Sequence, residues 1–238
     1  MEEIEDIDTT PEELVEKHTG RSKKLKFDAF FFKNRNIIFY VLGGILVVVI
    51  GFIAYKTFYL EPQEEEAENH VFNAQRLFEE DSFNMALKGT GGDLGKGFNS
   101  ISDDYSGTKI GNLSYYYIGM AKLQTGKYQE AIDNLENYKS DSKILMPMAL
   151  GGIGDAYSQL KNYDKASDYY LKAAKKDDNE FTTPRYYKKA GLAFEEIGKL
   201  DDALSAYQAI KDKYSRTRIG LDVDKYIGRV QAKIDAKK

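Results

Sequence analysis

The sequence predicts an all-α protein in which a single N-terminal membrane-spanning helix precedes a stack of helical hairpins. Residues 37–55 form an uncharged apolar run. From about Glu68 onward, apolar residues recur every three or four positions, which is the period of an amphipathic helix. In the C-terminal half, a pattern of small and large apolar residues recurs at intervals of about 35 residues, which indicates stacked structural repeats.

Residues 1–36 are predicted to form a largely disordered cytoplasmic tail that becomes basic near the membrane. Residues 1–20 carry eight acidic groups and one lysine, a composition typical of disorder. Thr10, Pro11 and Glu13 form a helix-start signal, so a helix of about two turns is expected there. Residues 21–36 combine basic residues with four phenylalanines. Next to an apolar span, this favours contact with lipid headgroups over nucleic-acid binding.

Residues 37–58 are predicted to form the transmembrane helix. The uncharged run 37–55 would be roughly 29 Å long as a helix, close to the ~30 Å hydrocarbon core of a bilayer. Basic residues precede it and an acidic run follows it. The positive-inside rule therefore predicts a single-pass inner-membrane protein with a cytoplasmic N-terminus. The length of the run, its distance from Met1 and the lack of a small-x-small motif favour a retained signal anchor over a cleaved signal peptide.

The composition argues against catalysis and predicts no metal, cofactor, nucleic-acid or small-molecule site. Without cysteine, disulfides and thiolate sites are excluded, and the two histidines, His18 and His70, lie on opposite sides of the predicted span. The glycine-rich segment 89–97 is not a phosphate-binding loop, because Thr90 and Gly97 stand where that motif requires Gly and Ser or Thr. Beyond the span, basic and acidic residues nearly balance, so no basic surface for nucleic acid is expected.

The repeat unit is a pair of helices. In three segments a glycine on the first helix is followed twelve residues later by an alanine on the second. The alanines lie 35 and 37 residues apart, close to the roughly 34-residue tetratricopeptide period. These residues resemble the tetratricopeptide repeat family, which implies an α-solenoid of tetratricopeptide-type hairpins. We expect each glycine to let the alanine approach closely; the pairs are Gly119 with Ala131, Gly154 with Ala166, and Gly191 with Ala203.

The remaining segments are assigned around these three repeats. Residues 59–69 are predicted to be an acidic linker or the first turn of a helix. Residues 70–238 are predicted to form a periplasmic tetratricopeptide domain. Within it, residues 70–105 are similar to a degenerate fourth hairpin with the glycine loop inserted, and residues 219–236 to a C-terminal capping helix that includes Leu221 and Val230.

The resemblance also implies where a partner protein binds. Tetratricopeptide arrays bind proteins in the groove lined by their first helices. A clamp for a C-terminal carboxylate is not expected, because its asparagine positions hold Met120, Asp155 and Leu192. Methionine- and tyrosine-rich surfaces adapt to varied apolar segments. The predicted groove positions are Leu113, Tyr116, Met120, Leu123, Met148, Gly151, Asp155, Arg185, Lys188, Leu192 and Glu195.

The whole layout resembles the YfgM-like family, in which a single-span anchor with a cytoplasmic N-terminus precedes a periplasmic tetratricopeptide domain. The runs DSFNMALKGTGGDLG (81–95), YSGTKIGNL (105–113) and NEFTTP (179–184) resemble the Bacteroidota branch of such proteins. The resemblance implies an ancillary subunit of the Sec translocon. It would assist a membrane-anchored periplasmic chaperone with client polypeptides.

Three alternatives remain open. The chain could be a structural scaffold of another cell-envelope assembly or secretion complex. It could place its solenoid in a eukaryotic cytosol on an organelle surface, although the basic segment before the span opposes that orientation. An enzyme would need a site that the residue types above do not supply.

Overall fold

The computed structural model describes residues 11–92 and 95–237 of the chain. These residues are helical or in turns and loops, apart from one isolated antiparallel bridge between Gly89 and Lys96. The predicted all-α fold is therefore confirmed for the part of the chain that the structure describes. The chain divides into two compact units, Met1–Tyr59 and Leu60–Lys238.

The first unit contains helix α1, Pro11–Tyr55, followed by a π-helical turn, Lys56–Leu60. The sequence predicted only about two helical turns after Pro11, within a largely disordered tail. The structure instead has helix through the whole segment, because no proline interrupts it before Pro62 and extending a helix costs less than starting a new one. The rest of the predicted tail, residues 1–10, lies outside the described residues.

The apolar segment of α1 is uncovered. Its large side chains are exposed, for example Tyr40 at 81% and Val48 at 71%. By length and composition, a single helical stretch within the described residues is apolar enough to cross a membrane, and it contains this segment. An apolar surface of this extent normally marks a site of membrane or protein interaction.

The second unit is a series of antiparallel helices, each packed on its neighbours in the chain. Helices α5 and α6, α7 and α8, and α9 and α10 form the three predicted hairpins. The helices are α2 (Glu61–Glu79), α3 (Phe83–Lys88), α4 (Phe98–Asp104), α5 (Lys109–Gln124), α6 (Tyr128–Asn137), α7 (Leu145–Gln159), α8 (Tyr163–Lys176), α9 (Thr183–Glu196), α10 (Leu200–Tyr214), α11 (Arg218–Leu221) and α12 (Asp224–Asp235).

The turn inside each hairpin repeats the same backbone geometry. Gly126, Lys161 and Gly198 have φ values of 75°, 59° and 70°. This left-handed conformation ends the first helix and reverses the chain, and glycine adopts it without strain. Lys161 holds the same conformation at a cost of about 1–2 kcal/mol, so the hairpin geometry overrides the local preference of this residue.

In each hairpin, a large side chain of the second helix packs directly against a glycine of the first helix. A Cβ atom on Gly154 would lie 2.6 Å from the ring of Tyr170, and one on Gly191 would lie 2.5 Å from the ring of Tyr207. On Gly119 it would lie 2.5 Å from Leu135 Cγ. The sequence predicted the alanine as the close neighbour, and the Ala131 carbonyl oxygen does lie 3.1 Å from the Gly119 Cβ position. In all three hairpins, however, the closest side chain is that of the residue four positions later, one turn along the second helix.

Aromatic rings fill the space between successive hairpins. The rings of Phe98 and Tyr117 stack 4.7 Å apart between α4 and α5. The rings of Tyr207 and Tyr226 stack 5.3 Å apart between α10 and α12. The first contact joins α4 to the first helix of the hairpin that follows, and the second joins the last hairpin to the closing helix α12. Stacking between hairpins therefore buries surface that no hairpin buries alone.

The acidic segment 59–69 is helical from Glu61 onward, which is the second of its two predicted alternatives, and it belongs to the second compact unit from Leu60 onward. Helix α2 begins at Glu61 and buries Ala67 completely. The Glu64 carboxylate accepts hydrogen bonds from the backbone N–H groups of Lys109 (2.6 Å) and Ile110 (3.1 Å). It therefore caps the N-terminus of α5, where negative charge is favourable. The compact unit accordingly begins at Leu60, ten residues before the predicted boundary.

The glycine-rich loop separates α3 from α4, as predicted, and its residues 93–94 lie outside the described residues. The lysine of this loop forms structural hydrogen bonds: Lys96 Nζ donates to the Asp104 carboxylate at 2.8 Å and to the Tyr105 hydroxyl oxygen at 3.0 Å.

At the other end of the domain, α12 forms the predicted closing helix and buries Val230. Leu221 was predicted to belong to this closing helix, but it ends the short α11 and is 76% exposed.

The hairpin glycines provide a test of close packing. In Gly191→Ala, the new methyl group would collide with the ring of Tyr207, which is fully buried. Overpacking of about 2–3 kcal/mol exceeds the helix-propensity gain of about 1 kcal/mol. We expect the free energy of unfolding to fall by about 1–2 kcal/mol in urea titrations followed by circular dichroism. Gly228→Ala is the matched control, because nothing lies within 4 Å of its Cβ position. It should gain about 0.5–1 kcal/mol.

The capping role of Glu64 provides a second test. We expect Glu64→Ala to lower the free energy of unfolding by about 1 kcal/mol, because two backbone N–H groups of α5 lose their acceptor. Glu68→Ala removes an exposed carboxylate from the same acidic run and should change stability by less than about 0.5 kcal/mol. Equal effects of the two substitutions, measured by urea denaturation, would contradict the cap.

Candidate protein-binding groove

The predicted groove positions lie on α5, α7 and α9, the first helices of the three hairpins. On α5 and α7, four of them are half-buried and pack on the core of the first two hairpins: Leu113, Met120, Leu123 and Met148. Tyr116 is only 6% exposed and packs 5.5 Å from the Tyr138 ring. Burial raises the pKa of its hydroxyl to about 12. Tyr116 is therefore a core residue and not part of the open groove surface.

On α9, some of the predicted positions are open to a partner and others contact neighbouring parts of the domain. Leu192 is 37% exposed and available to a partner. Arg185 is exposed and lies over the Phe181 ring at 5.2 Å. Lys188 lies over the Tyr226 ring at 5.0 Å and so contacts the closing helix. On α7, Gly151 is buried, because the Tyr186 ring occupies the space where a side chain would be.

A cleft of about 450 Å³ opens between the three first helices. We call it the central cleft. A second cleft of about 340 Å³ shares Ser158, Tyr170 and Lys189 with it and extends to Leu192. The two clefts therefore adjoin, and together we call them the groove. The central cleft is lined by Leu123, Gln124, Tyr128, Asp155, Ser158, Gln159, Tyr170 and Lys189.

An ion pair lies at the centre of this groove. Lys189 Nζ donates to both carboxylate oxygens of Asp155, at 2.6 and 2.8 Å. The Tyr170 hydroxyl donates to the same carboxylate at 2.6 Å. Burial, and then the negative charge of Asp155, raise the pKa of Tyr170 and of Tyr186 well above the ordinary value. Both phenols are therefore neutral hydrogen-bonding groups at physiological pH.

The structure brings together Leu123, Asp155 and Leu192 from the predicted set and adds residues that the sequence did not indicate. Gln124, Ser158 and Gln159 lie at the ends of the first helices, and the repeat frame could have placed them one turn beyond the predicted positions. The sequence could not place Lys189 in the groove, because this residue reaches Asp155 on the neighbouring hairpin only through its long side chain.

Within the described residues, no group of three or more His, Cys, Asp or Glu side chains could hold a metal ion.

Glu195 was predicted as a groove residue but forms a structural ion pair. Its side chain is only 6% exposed. The carboxylate accepts hydrogen bonds from Arg229 (2.5 Å), Lys233 (2.8 Å) and the Tyr207 hydroxyl (2.9 Å). Burial alone would raise the pKa of Glu195, but these donors outweigh it and hold the pKa below its ordinary value. Glu195 therefore joins α9 to α10 and α12.

Lys122 stands where tetratricopeptide repeats usually have tyrosine, and the structure explains how the hairpin accommodates it. Its side chain is 14% exposed and its ammonium group contacts the Glu130 carboxylate at 2.5 Å. This contact lowers the pKa of Glu130. Most of the lysine side chain is therefore buried while its charge is paired across the hairpin.

Comparison with known proteins identifies the repeats. Models of the tetratricopeptide repeat match residues 113–141, 149–179 and 187–217. The three hairpins are tetratricopeptide repeats. Because this repeat is a protein-interaction module, the chain carries a protein-binding domain. The resemblance to the YfgM-like family in particular stays a prediction.

A curated relative from Guillardia theta, described as uncharacterized protein ycf37, is 29% identical to this chain over 115 residues. The match spans 47% of this chain and 63% of that protein's length. It supports a distant relationship and assigns no partner to the chain.

The buried Glu195 carboxylate predicts a specific dependence of stability on pH. Because its folded-state pKa lies below the ordinary value of 4.5, its contribution is complete above about pH 4.5 and is lost as pH falls through the folded-state pKa. We expect Glu195→Gln to lower the free energy of unfolding at pH 7 by about 1–3 kcal/mol. It should also reduce the loss of stability below pH 4.5, measured by urea denaturation at a series of pH values.

Glu196→Gln is the control for this prediction. It removes an exposed carboxylate from the adjacent position and should leave the pH profile unchanged within about 0.5 kcal/mol. A Glu195→Gln protein with the same acid sensitivity as the unmodified chain would contradict the assignment.

Proposed function

We propose that the chain is a membrane-tethered protein-binding solenoid that works as an ancillary subunit of the Sec translocon. In this proposal it assists a membrane-anchored periplasmic chaperone with emerging client polypeptides. Residues 37–58 span the inner membrane once, the N-terminus is cytoplasmic, and the tetratricopeptide domain lies in the periplasm. The chain itself carries out no reaction.

The observation that carries this proposal is the combination of an uncovered apolar helix with an open groove on the domain that follows it. The apolar side chains of residues 37–55 are exposed to a degree that suits lipid. The basic residues before the span favour a cytoplasmic N-terminus. A tether of this kind raises the effective concentration of the groove beside a membrane complex without any additional contact.

The chemistry of the groove suits polypeptide segments of varied sequence. Gln124, Ser158 and Gln159 present amide and hydroxyl groups to the central cleft, and such groups can bond to the backbone of any extended chain. Leu123 and Leu192 supply apolar contacts at the two ends. The Asp155 charge is already paired with Lys189, so the groove does not demand a charged ligand. This fits clients that are recognised before they fold.

Photocrosslinking in living cells tests the proposal. A photoreactive benzoylphenylalanine replaces Leu192 in the groove, and Ser205, exposed on α10, is replaced in the control protein. We expect crosslinks from position 192 to Sec translocon subunits, the periplasmic chaperone or nascent chains, identified by mass spectrometry after extraction in mild detergent. Position 205 should give few of these products.

The other outcomes distinguish the alternatives. Crosslinks from position 192 only to other envelope proteins, without translocon subunits or nascent chains, would contradict the translocon role and favour a structural scaffold. Crosslinks to cytoplasmic proteins would contradict the proposed membrane orientation. Equal products from positions 192 and 205 would contradict binding in the groove.

A further inference from the structure

A separate cleft of about 740 Å³ lies between the N-terminal half of α7 and the C-terminal half of α8. Its floor is apolar and is formed by Met146, Leu150 and Leu171. Its rim carries one acidic residue, Asp168, and three basic ones. We call it the lysine-rimmed cleft, after Lys172, Lys175 and Lys176.

This cleft is on the side of α7 away from the groove. Successive helical residues are rotated by about 100°. Met146 and Leu150 are therefore close together on one face, whereas Met148 and Asp155 lie nearly half a turn around the helix. The clefts of the groove share no lining residue with this one.

The lysine-rimmed cleft is open because α6 is short. Helix α6 has 10 residues, whereas the equivalent helices α8 and α10 have 14 and 15. The Tyr169 hydroxyl on α8 donates to Glu136 at 2.7 Å, one residue before α6 ends. Beyond Tyr169, α8 continues for about two more turns without this neighbour. The chain leaves α6 at Tyr138, which is extended and buried.

The position of the cleft relative to α6 follows from the aromatic contacts. The Tyr157 ring on α7 packs against the Tyr169 ring on α8 at 5.5 Å, and the Tyr169 hydroxyl is bonded to Glu136 on α6, so this face of α7 lies beside the end of α6. Leu150 and Met146 are seven and eleven residues before Tyr157, which places them on the same face about two and three turns away. They therefore line the space that further turns of α6 would have occupied.

The rim of the cleft is net positive, with three lysines and one aspartate. Lys172 Nζ lies 4.4 Å from the centre of the Tyr169 ring. Lys175 and Lys176 form the basic last turn of α8 and have no ion-pair partner among the described residues. An apolar floor with an unpaired basic rim is complementary to a segment that is both apolar and acidic.

We propose that the lysine-rimmed cleft binds an acidic amphipathic helix of a partner protein, in the place that the missing turns of α6 leave open. Apolar side chains at helical spacing cover Met146, Leu150 and Leu171. Carboxylates on the flanks of that helix pair with Lys175 and Lys176. This is the helix-in-groove mode of recognition. Because the groove is on the opposite side of α7, a partner here leaves the groove free for clients, and this inference does not depend on the translocon role.

A fluorescence-anisotropy titration tests this inference with the full chain in non-ionic detergent. The probe is a synthetic amphipathic peptide of four helical turns, with leucine at helical spacing on one face and glutamate elsewhere. We expect saturable binding that weakens as salt is added, because exposed ion pairs are screened. The double variant Lys175→Gln, Lys176→Gln should bind the probe about fivefold more weakly.

A matched double variant provides the control. Lys211→Gln with Lys213→Gln removes the same charge from the last turn of α10 and should leave the affinity unchanged. Both variants are compared by circular dichroism and thermal unfolding, so a loss of binding is not a loss of fold. A peptide with lysine in place of every glutamate should not bind.

Four results would overturn the inference. The first is no binding of the acidic peptide by the unmodified chain, and the second is an equal loss of affinity in both double variants. The third is binding of phosphatidylglycerol vesicles but not of the peptide, with the same lysine dependence, which would make the cleft a lipid contact. The fourth is tighter binding of a peptide of residues 1–20, which would make the acidic tail of the chain itself the ligand.

Discussion

The contact on which the domain depends is the one between a glycine on the first helix of each hairpin and a large side chain on the second. Gly119, Gly154 and Gly191 leave no side chain of their own, so Leu135, Tyr170 and Tyr207 lie directly against the backbone of the first helix. This brings the two helices close together and fixes their register. The same contact recurs with the period of the repeat, so the three hairpins share one internal geometry and can stack in the same way.

Two of these large residues connect the core to the polar contacts outside it. The ring of Tyr170 packs on Gly154 while its hydroxyl holds Asp155 in the groove. Tyr207 packs on Gly191 while its hydroxyl holds Glu195, which in turn binds Arg229. The groove residues are therefore positioned by the packing of the hairpins, and rigid elements place functional groups more accurately than loops do.

Helix α7 separates two surfaces of different character. The groove side combines neutral hydrogen-bonding groups with a paired charge at Asp155 and Lys189, which suits ligands of varied sequence. The opposite side combines an apolar floor with unpaired lysines, which favours one class of ligand. The difference arises from the lengths of two equivalent helices, because α6 ends at Asn137 after 10 residues whereas α8 has 14 residues and ends at Lys176.

The sequence by itself determined the repeats, their helices and the apolar span, because these depend on residue spacing within one segment. Tertiary structure decided which side chains are open to a partner. Tyr116 and Glu195 have the spacing of groove residues but are buried by neighbours from other helices. Glu64 belongs to an acidic run yet caps α5, 45 residues away. Burial and pairing depend on contacts between distant segments, and local periodicity carries no information about them.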